Sequence, residues 1–206
     1  MSESQNKVRL FDAGKDFEVP VFSGEEKRCT VRYPTDAEWI ARAAGHRTIY
    51  DSLGRGKTRA RVLNTERVDG ELFAKIRKDD GPEFTGAEAS SVLERLQRAQ
   101  VTGVKREGNT FRISMQVAGA VTEHVLAMPL RADVDAMVDG SATITNARRY
   151  QEVRLNIEPA VELYAKIHIS HAGYAGEVPA PHKDAAVAEV IAQVRALEEE
   201  ADDPET

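Results

Sequence analysis

The sequence predicts an α+β fold made of two similar halves. Residues 71–76 read ELFAKI, and residues 162–167 repeat them as ELYAKI. Pro34 and Pro129 are each followed, at the same spacing, by a Thr-Ile pair, so the landmarks of the two halves keep their order. Hairpin signals and short capped helices follow one another without the regular βαβ alternation of a doubly wound fold. These observations predict an internal duplication, and a shared strand and helix pattern without common ancestry is the alternative.

The duplication sets the expected domain boundaries. Residues 9–100 form the first repeat and residues 101–197 the second, between a flexible N-terminus at 1–8 and an acidic disordered tail at 198–206. A chain of 206 residues is long enough for two small domains or for one fused pseudo-symmetric domain. Both arrangements stay open at this point.

The first half is expected to open with a β-hairpin. Alternating residues at 17–22 and 29–33 flank a turn at 23–26. Pro20 cannot donate a hydrogen bond to a ladder, which favours an edge position for the first strand. Cys29, the one cysteine of the chain, lies in the second strand, so we expect it to pack there and to form no disulfide.

Two helices of the first half begin with the spacing of a capping box. Thr35 precedes Glu38, and Thr85 precedes Glu88, so that each hydroxyl can accept from an amide while each carboxylate reaches back. Gly45 ends the first of these helices, and a strand is expected directly after it. A further helix lies between them. The apolar residues at helical spacing that we expect in or near the core are Trp39, Ile40, Ala43, Leu72, Phe73, Ile76, Val92, Leu93 and Leu96.

The second half repeats this pattern with a stronger hairpin signal. Strands at 102–106 and 110–117 flank the turn at 107–109, and a third strand at 124–128 leads into a helix over 131–139. Each half therefore reads as strands, a short helix, a strand and then two helices.

The last part of the chain is expected to hold two helices joined by a long loop. Pro159 suits the first turn of a helix that contains Tyr164. A loop over 170–182 then leads to Asp184, which is expected to cap the final helix. That helix is a candidate for docking across the other half of the chain or across another subunit.

Composition excludes several classes of protein. Apolar residues make up 41% of the chain and charged residues 30%, as in a globular protein. No stretch approaches the roughly 18 apolar residues of a membrane helix, and residues 1–7 lack the apolar segment of a signal peptide. A net charge of −6 argues against nonspecific binding to nucleic acid. We expect a cytoplasmic protein that contacts no membrane.

A basic segment is the candidate partner-binding site. Between residues 42 and 61 six basic side chains face the single acidic Asp51. A solvated hairpin, docking on an acidic protein surface and binding to nucleic acid are the three interpretations. Gly56-Lys57-Thr58 resembles the end of a phosphate-binding loop, but Asp51 replaces the first glycine and residues 58–62 favour a strand. The candidate residues are Arg55, Lys57, Arg59 and Arg61.

No residue pattern predicts catalysis, and no cofactor is expected. His168, His171 and His182 lie close together in the sequence, and histidine is a common zinc ligand. A catalytic zinc site also needs residues that orient the ligands and a general base, and the spacing of the histidines identifies neither. Roles in a loop or as a helix cap are therefore favoured over a metal site. We therefore expect a protein that is not an enzyme, with a metal-dependent enzyme as the least favoured alternative.

Two segments resemble stretches of prophage-encoded tail proteins, including tail assembly chaperones. They are residues 30–39 (TVRYPTDAEW) and 173–184 (GYAGEVPAPHKD). The resemblance implies a structural or assembly role, with phage structural proteins or other proteins as partners, in the cytoplasm or in the virion. A homo-oligomer fits the same role. A nucleic-acid-binding regulator that uses the basic segment is the alternative function.

Overall fold

The fold is α+β, with helices packed on antiparallel sheets. The computed structural model describes residues 16–23, 25–54, 57–117, 119–148, 150–174 and 176–202. The predicted flexible N-terminus at 1–8 lies outside these residues. The elements of the first half are β1 (Asp16–Ser23), β2 (Glu25–Arg32), α1 (Asp36–Gly45), β3 (Arg47–Gly54), β4 (Lys57–Leu63), α2 (Thr65–Ile76) and α3 (Gly86–Gln97).

The second half begins with a three-stranded meander where the first half begins with a hairpin. Its elements are β5 (Ala99–Glu107), β6 (Thr110–Val117), β7 (Ala120–Ala127), α4 (Arg131–Gly140), β8 (Ala142–Asn146), β9 (Tyr150–Leu155), α5 (Glu158–Ile167), β10 (His168–Ala172) and α6 (Ala180–Asp202). Both predicted hairpins, and the helix before Gly140, are confirmed.

The strands form three sheets, and one of them is shared by the two halves. β1 pairs with β2, and a second sheet has the order β10-β7-β6-β5. The third sheet has the order β4-β3-β9-β8, so the hairpin of the first half pairs through β3 with β9 of the second half. We call this third sheet the shared sheet. Its β3–β9 pairing makes the two halves parts of one continuous sheet.

The order of elements corresponds between the halves, but the match has a limit. Arg47 pairs with Leu63 and Ala142 pairs with Leu155, which is the register that the repeated sequence landmarks require. Ile49 and Ile144, however, lie on opposite faces of the shared sheet, because Thr48, the neighbour of Ile49, shares a row of paired residues with Ile144. Common ancestry of the halves stays a prediction.

Two apolar clusters form the interior. One holds Trp39, Phe73 and Leu93 and draws on the first half, with Ala180 as its contribution from the second. The other is built from β6, β7, α5 and α6 and includes Tyr164. Of the core positions predicted for the first half, Ile40 and Ala43 are partly buried and the others are buried.

Cys29 is buried as well, and burial raises the pKa of its thiol to about 11, which fits a packing role.

Local capping signals gave the helix starts correctly in the first half. Thr35 and Thr85 both form complete capping boxes, with Glu38 and Glu88 as the reciprocal partners. The predicted cap of the final helix is wrong, because α6 begins at Ala180 and Asp184 lies inside it.

The beginning of α6 is instead held by a residue of the other half. The backbone amide of Ala180 donates to Asp36 Oδ1 at 2.8 Å, and Lys183 forms an ion pair with the same carboxylate. Asp36 thus takes up one of the unpaired amides at a helix start. A capping residue so distant in sequence leaves no local signal.

The strand predicted after each short helix is confirmed, as β3 in the first half and β8 in the second. Each pairs in a hairpin with the strand that follows it, and of these two following strands β9 was not predicted. Two further expectations from the sequence are wrong. The predicted loop over 170–182 contains part of β10, which pairs with β7, and the start of α6. The predicted tail is helical as far as Asp202, beyond its expected start at Glu198. Among the described residues no helix is long and apolar enough to cross a membrane.

Candidate functional site

The shared sheet has two faces of different chemistry. Residues that pair directly across neighbouring strands point to the same face, and successive rows alternate between faces. One row runs Val62, Thr48, Val153, Ile144 across β4, β3, β9 and β8. The next row runs Arg61, Ile49, Glu152, Thr145. The alternation of these rows assigns the paired residues to one face or the other, except at the register shift that precedes the pair of Gly54 and Lys57.

Over the regularly paired residues 48–52, 58–62, 142–146 and 151–155, the face that contains Ile144 carries no charged side chain, and we call it the uncharged face. Four large apolar side chains on it are exposed: Val62 by 62%, Leu155 by 58%, Ile144 by 56% and Tyr50 by 38%. Its members are Thr48, Tyr50, Ser52, Thr58, Ala60, Val62, Ala142, Ile144, Asn146, Gln151, Val153 and Leu155. Exposed apolar residues scattered singly are normal, whereas several on one face make that face a candidate contact surface.

The opposite face, which we call the charged face, neutralises its own charges. Glu152 is buried and accepts from Arg47 Nε at 2.7 Å and from Arg154 Nε at 2.8 Å. These hydrogen bonds, first that from Arg47, lower the pKa of Glu152 to about 2. Asp51 accepts from Arg61 Nε at 2.6 Å, which lowers its pKa too. The cations of this face are therefore largely engaged within the sheet.

The predicted basic site is distributed along a strand. Arg55 lies outside the described residues, and Lys57 begins β4. Arg59 and Arg61 lie on the charged face, and the Arg61 side chain forms an ion pair with Asp51. The strand predicted for residues 58–62 is confirmed, so the segment is part of the shared sheet and not a free loop over its whole length.

A second cluster concentrates titratable groups in the core of the second half. His124 of β7 is fully buried, with Nδ1 2.9 Å from the Tyr164 hydroxyl and Nε2 3.2 Å from the Tyr174 hydroxyl. The Tyr174 hydroxyl also lies 3.2 Å from Nδ1 of His182, in α6, and 3.4 Å from Thr122 Oγ1. We call these side chains the tyrosine–histidine network. It links a strand, a loop and two helices through neutral hydrogen bonds.

Burial keeps the network uncharged. It lowers the pKa of His124 to about 3 and that of His182 to about 4. The same burial raises the pKa of both the Tyr164 and the Tyr174 hydroxyl above the usual range. At neutral pH every member is therefore in its neutral form. Such a network satisfies buried polar groups and fixes the packing of α6 on the sheet.

The three histidines proposed as an alternative metal site do not come together. His168 Nε2 and His171 Nδ1 lie 2.9 Å apart in an exposed pair. His182 is buried and engaged with Tyr174. Over the described residues no group of three or more histidine, cysteine or acidic side chains is arranged to hold a metal ion.

A buried ion pair braces the first half. Arg42 of α1 donates from Nε to Asp69 Oδ1 of α2 at 2.6 Å, and His46 Nε2 lies 3.0 Å from the same oxygen. Burial alone would raise the pKa of Asp69, but hydrogen bonds from His46 and Arg42 lower it to about 2. The cluster joins α1 and α2 of the first half, so we assign it a structural role.

Comparison with known proteins adds no assignment. No family model, no curated protein and no solved structure matches this chain. The surfaces of the molecule itself are therefore the basis for a functional assignment. Sequence reasoning missed the uncharged face, because it exists only after β4, β3, β9 and β8 have paired, and the β3–β9 pairing joins segments far apart in the chain. The one available signal was the lack of charge in residues 142–146.

Proposed function

We propose that this protein is a non-enzymatic assembly protein that acts through protein–protein contacts, with the uncharged face of the shared sheet as its contact surface. The observation that carries the proposal is the exposure of Tyr50, Val62, Ile144 and Leu155 together on a face without charge. Burying apolar area stabilises a complex by about 25 cal/mol per Å², so a partner that covers this face is bound more tightly.

The contrast with the charged face supports this choice of surface. An antiparallel sheet that stays in water on one face usually presents polar and charged side chains there. In this sheet the charged side chains are on the other face, where Arg47 and Glu152 or Arg61 and Asp51 satisfy one another. Interface centres are depleted of charge and enriched in aromatic residues such as Tyr50.

The proposed setting is the assembly of a phage tail, with phage structural proteins as partners. It is supported by the resemblance of residues 30–39 and 173–184 to prophage tail proteins. These two segments contact each other through Asp36 and Lys183, and the rings of Tyr33 and His182 lie 6.4 Å apart. They form one junction between the halves, so the resembling stretches belong to a single structural feature.

Replacing apolar residues of the uncharged face by lysine tests the proposal. The double variant Val62→Lys, Leu155→Lys places charge on the surface, whereas Val121→Lys, at another exposed apolar position, serves as the matched control. Each untagged protein is recovered from its native cell, and the proteins that accompany it are identified by mass spectrometry and compared with the neighbouring genes.

The proposal predicts a defined set of partners that the wild type and the control retain and the double variant loses. Tail-tube or tape-measure proteins among them support the tail setting. Equal recovery with all three proteins contradicts the assignment of the surface. Recovery of nucleic acid alone, lost with rising salt, contradicts the assembly role in favour of a regulator.

A further inference from the structure

The two outer edges of the shared sheet differ in charge. β4, at one edge, contains Lys57, Arg59 and Arg61. β8, at the other edge, reads ATITN and contains no charged residue. No strand in the described ranges pairs with the outer side of either edge.

Charge at an edge strand has a known physical effect. An unpaired strand edge is a template for pairing with another chain, and lysine or other charged side chains on it discourage that pairing. β4 carries this protection and β8 lacks it. Residues 143–146 of β8 are moreover exposed. β8 therefore combines open backbone groups with β-branched side chains that suit a strand pair.

We propose that β8 pairs with β8 of a second copy of this chain, antiparallel and about a twofold axis, so that two shared sheets join into one sheet of eight strands. The sequence of β8 is self-complementary in this arrangement. With Ile144 opposite Ile144 of the second copy, Thr143 lies opposite Thr145 and Ala142 opposite Asn146. Opposed threonines and opposed apolar β-branched residues are favourable cross-strand pairs.

The arrangement keeps the faces of the sheet distinct. Ile144 belongs to the uncharged face, whereas Thr143 and Thr145 belong to the opposite face. Paired residues point to the same side, so the uncharged faces of both copies form one continuous surface. Two chains of net charge −6 also meet at an edge that adds no charge of its own.

The twofold dimer also explains why only one edge is protected. Its outer strands are two copies of β4, and the basic residues on both discourage further growth. Pairing of β8 with β4 of the next copy would instead be a head-to-tail contact, which generates a ring or an open filament. It would also leave one uncharged edge exposed at each stage of an open filament. The dimer uses backbone groups of β8, so it stands or fails independently of any partner on the uncharged face.

The mass of the full chain in solution, measured by sedimentation or light scattering over a wide range of concentration, tests the dimer. The double variant Thr143→Lys, Thr145→Lys places lysine opposite lysine at two positions of the proposed pair, and like charges directly opposite are destabilising. In Thr143→Lys, Thr145→Glu the same geometry places lysine opposite glutamate. Thr58→Lys, at an exposed threonine of β4, is the matched control.

The wild type, the Thr58→Lys control and the lysine–glutamate variant are expected at twice the chain mass of 22.7 kDa, and the double-lysine variant as a folded monomer by circular dichroism. A wild type that is monomeric throughout overturns the proposal. A double-lysine variant that remains dimeric overturns the use of β8. Masses that keep rising with concentration favour the head-to-tail contact and overturn the twofold dimer.

Discussion

The tyrosine–histidine network and the uncharged face carry opposite kinds of information. The network gathers the residue types that sequence motifs associate with chemistry, yet His124 and His182 are fully buried, and this burial keeps them neutral by lowering the pKa of both imidazoles. The uncharged face contains no histidine, and it exposes four large side chains, those of Tyr50, Val62, Ile144 and Leu155, to water. In this protein the buried histidines and tyrosines belong to internal packing, whereas the contact surface that we propose consists of uncharged residues of a sheet.

Truncating aromatic side chains in the core and on the uncharged face gives the largest expected difference. Trp39→Ala should lower the free energy of unfolding by about 3–5 kcal/mol, because its side chain is buried in the first-half cluster. Tyr50→Ala should change it by no more than about 0.5 kcal/mol, because Tyr50 is exposed. Denaturant unfolding of both variants measures the difference. Similar losses in both would mean that the uncharged face is part of a core.

Removing one hydroxyl from the network should have a smaller effect. Tyr174→Phe removes one hydrogen-bond partner from His124 and one from His182. We expect it to lower the free energy of unfolding by about 1–3 kcal/mol. Tyr150→Phe, at an exposed tyrosine, is the control and should be close to neutral. A Tyr174→Phe variant as stable as the wild type would show that the network does not contribute to stability.

Acid should weaken the fold through the same network. The pKa values of His124 and His182 are lowered in the folded state to about 3 and about 4, so between these values and about 6.5 the unfolded state binds more protons. The stabilising effect is complete above about pH 6.5 and is lost as the pH falls towards the folded pKa values. We expect about 1–2 kcal/mol per histidine to be lost between pH 7 and pH 5.

Unfolding free energies at pH 7 and pH 5 measure this loss. The variant His182→Phe removes one titrating group and should lower the slope, even though it also changes the packing. A wild-type stability that stays constant over this interval would contradict the neutral, buried assignment of both histidines.

Charge placed on the uncharged face should have the smallest effect on folding. Leu155→Lys is expected to change the free energy of unfolding by less than about 0.5 kcal/mol, because the side chain is already exposed. Leu163→Lys, at a buried leucine of α5, is the contrasting variant and should prevent stable folding. Thermal melts of the purified monomer or dimer compare the two. Unfolding by both would mean that a partner element covers Leu155 in the native protein.

The sequence predicted those features whose signals are local. Thr35 with Glu38 and Thr85 with Glu88 located two helix starts, and the turn at 107–109 located a hairpin, because each is fixed by residues close in the chain. Apolar spacing identified the core side chains for the same reason.

The features that the sequence did not predict depend on distant contacts. Asp36 holds the start of α6 from another helix, and β10 is a strand only because β7 lies beside it. The uncharged face needs residues from β3, β4, β8 and β9 in register. Histidine spacing suggested a metal site, but burial of His182 beside Tyr174 separates it from the exposed pair His168 and His171.

The most direct test of the proposed contact surface compares two tyrosines of the shared sheet. Tyr50 on the uncharged face and Tyr150 on the charged face have similar exposures of 38% and 42%. Hydroxyl-radical footprinting of the protein in complexes isolated from its native cell, against the purified chain, measures the accessibility of both. We predict that the complex protects Tyr50 and leaves Tyr150 reactive. Equal reactivity of Tyr50 in the complex and in the purified chain would contradict the assignment of the uncharged face as the contact surface.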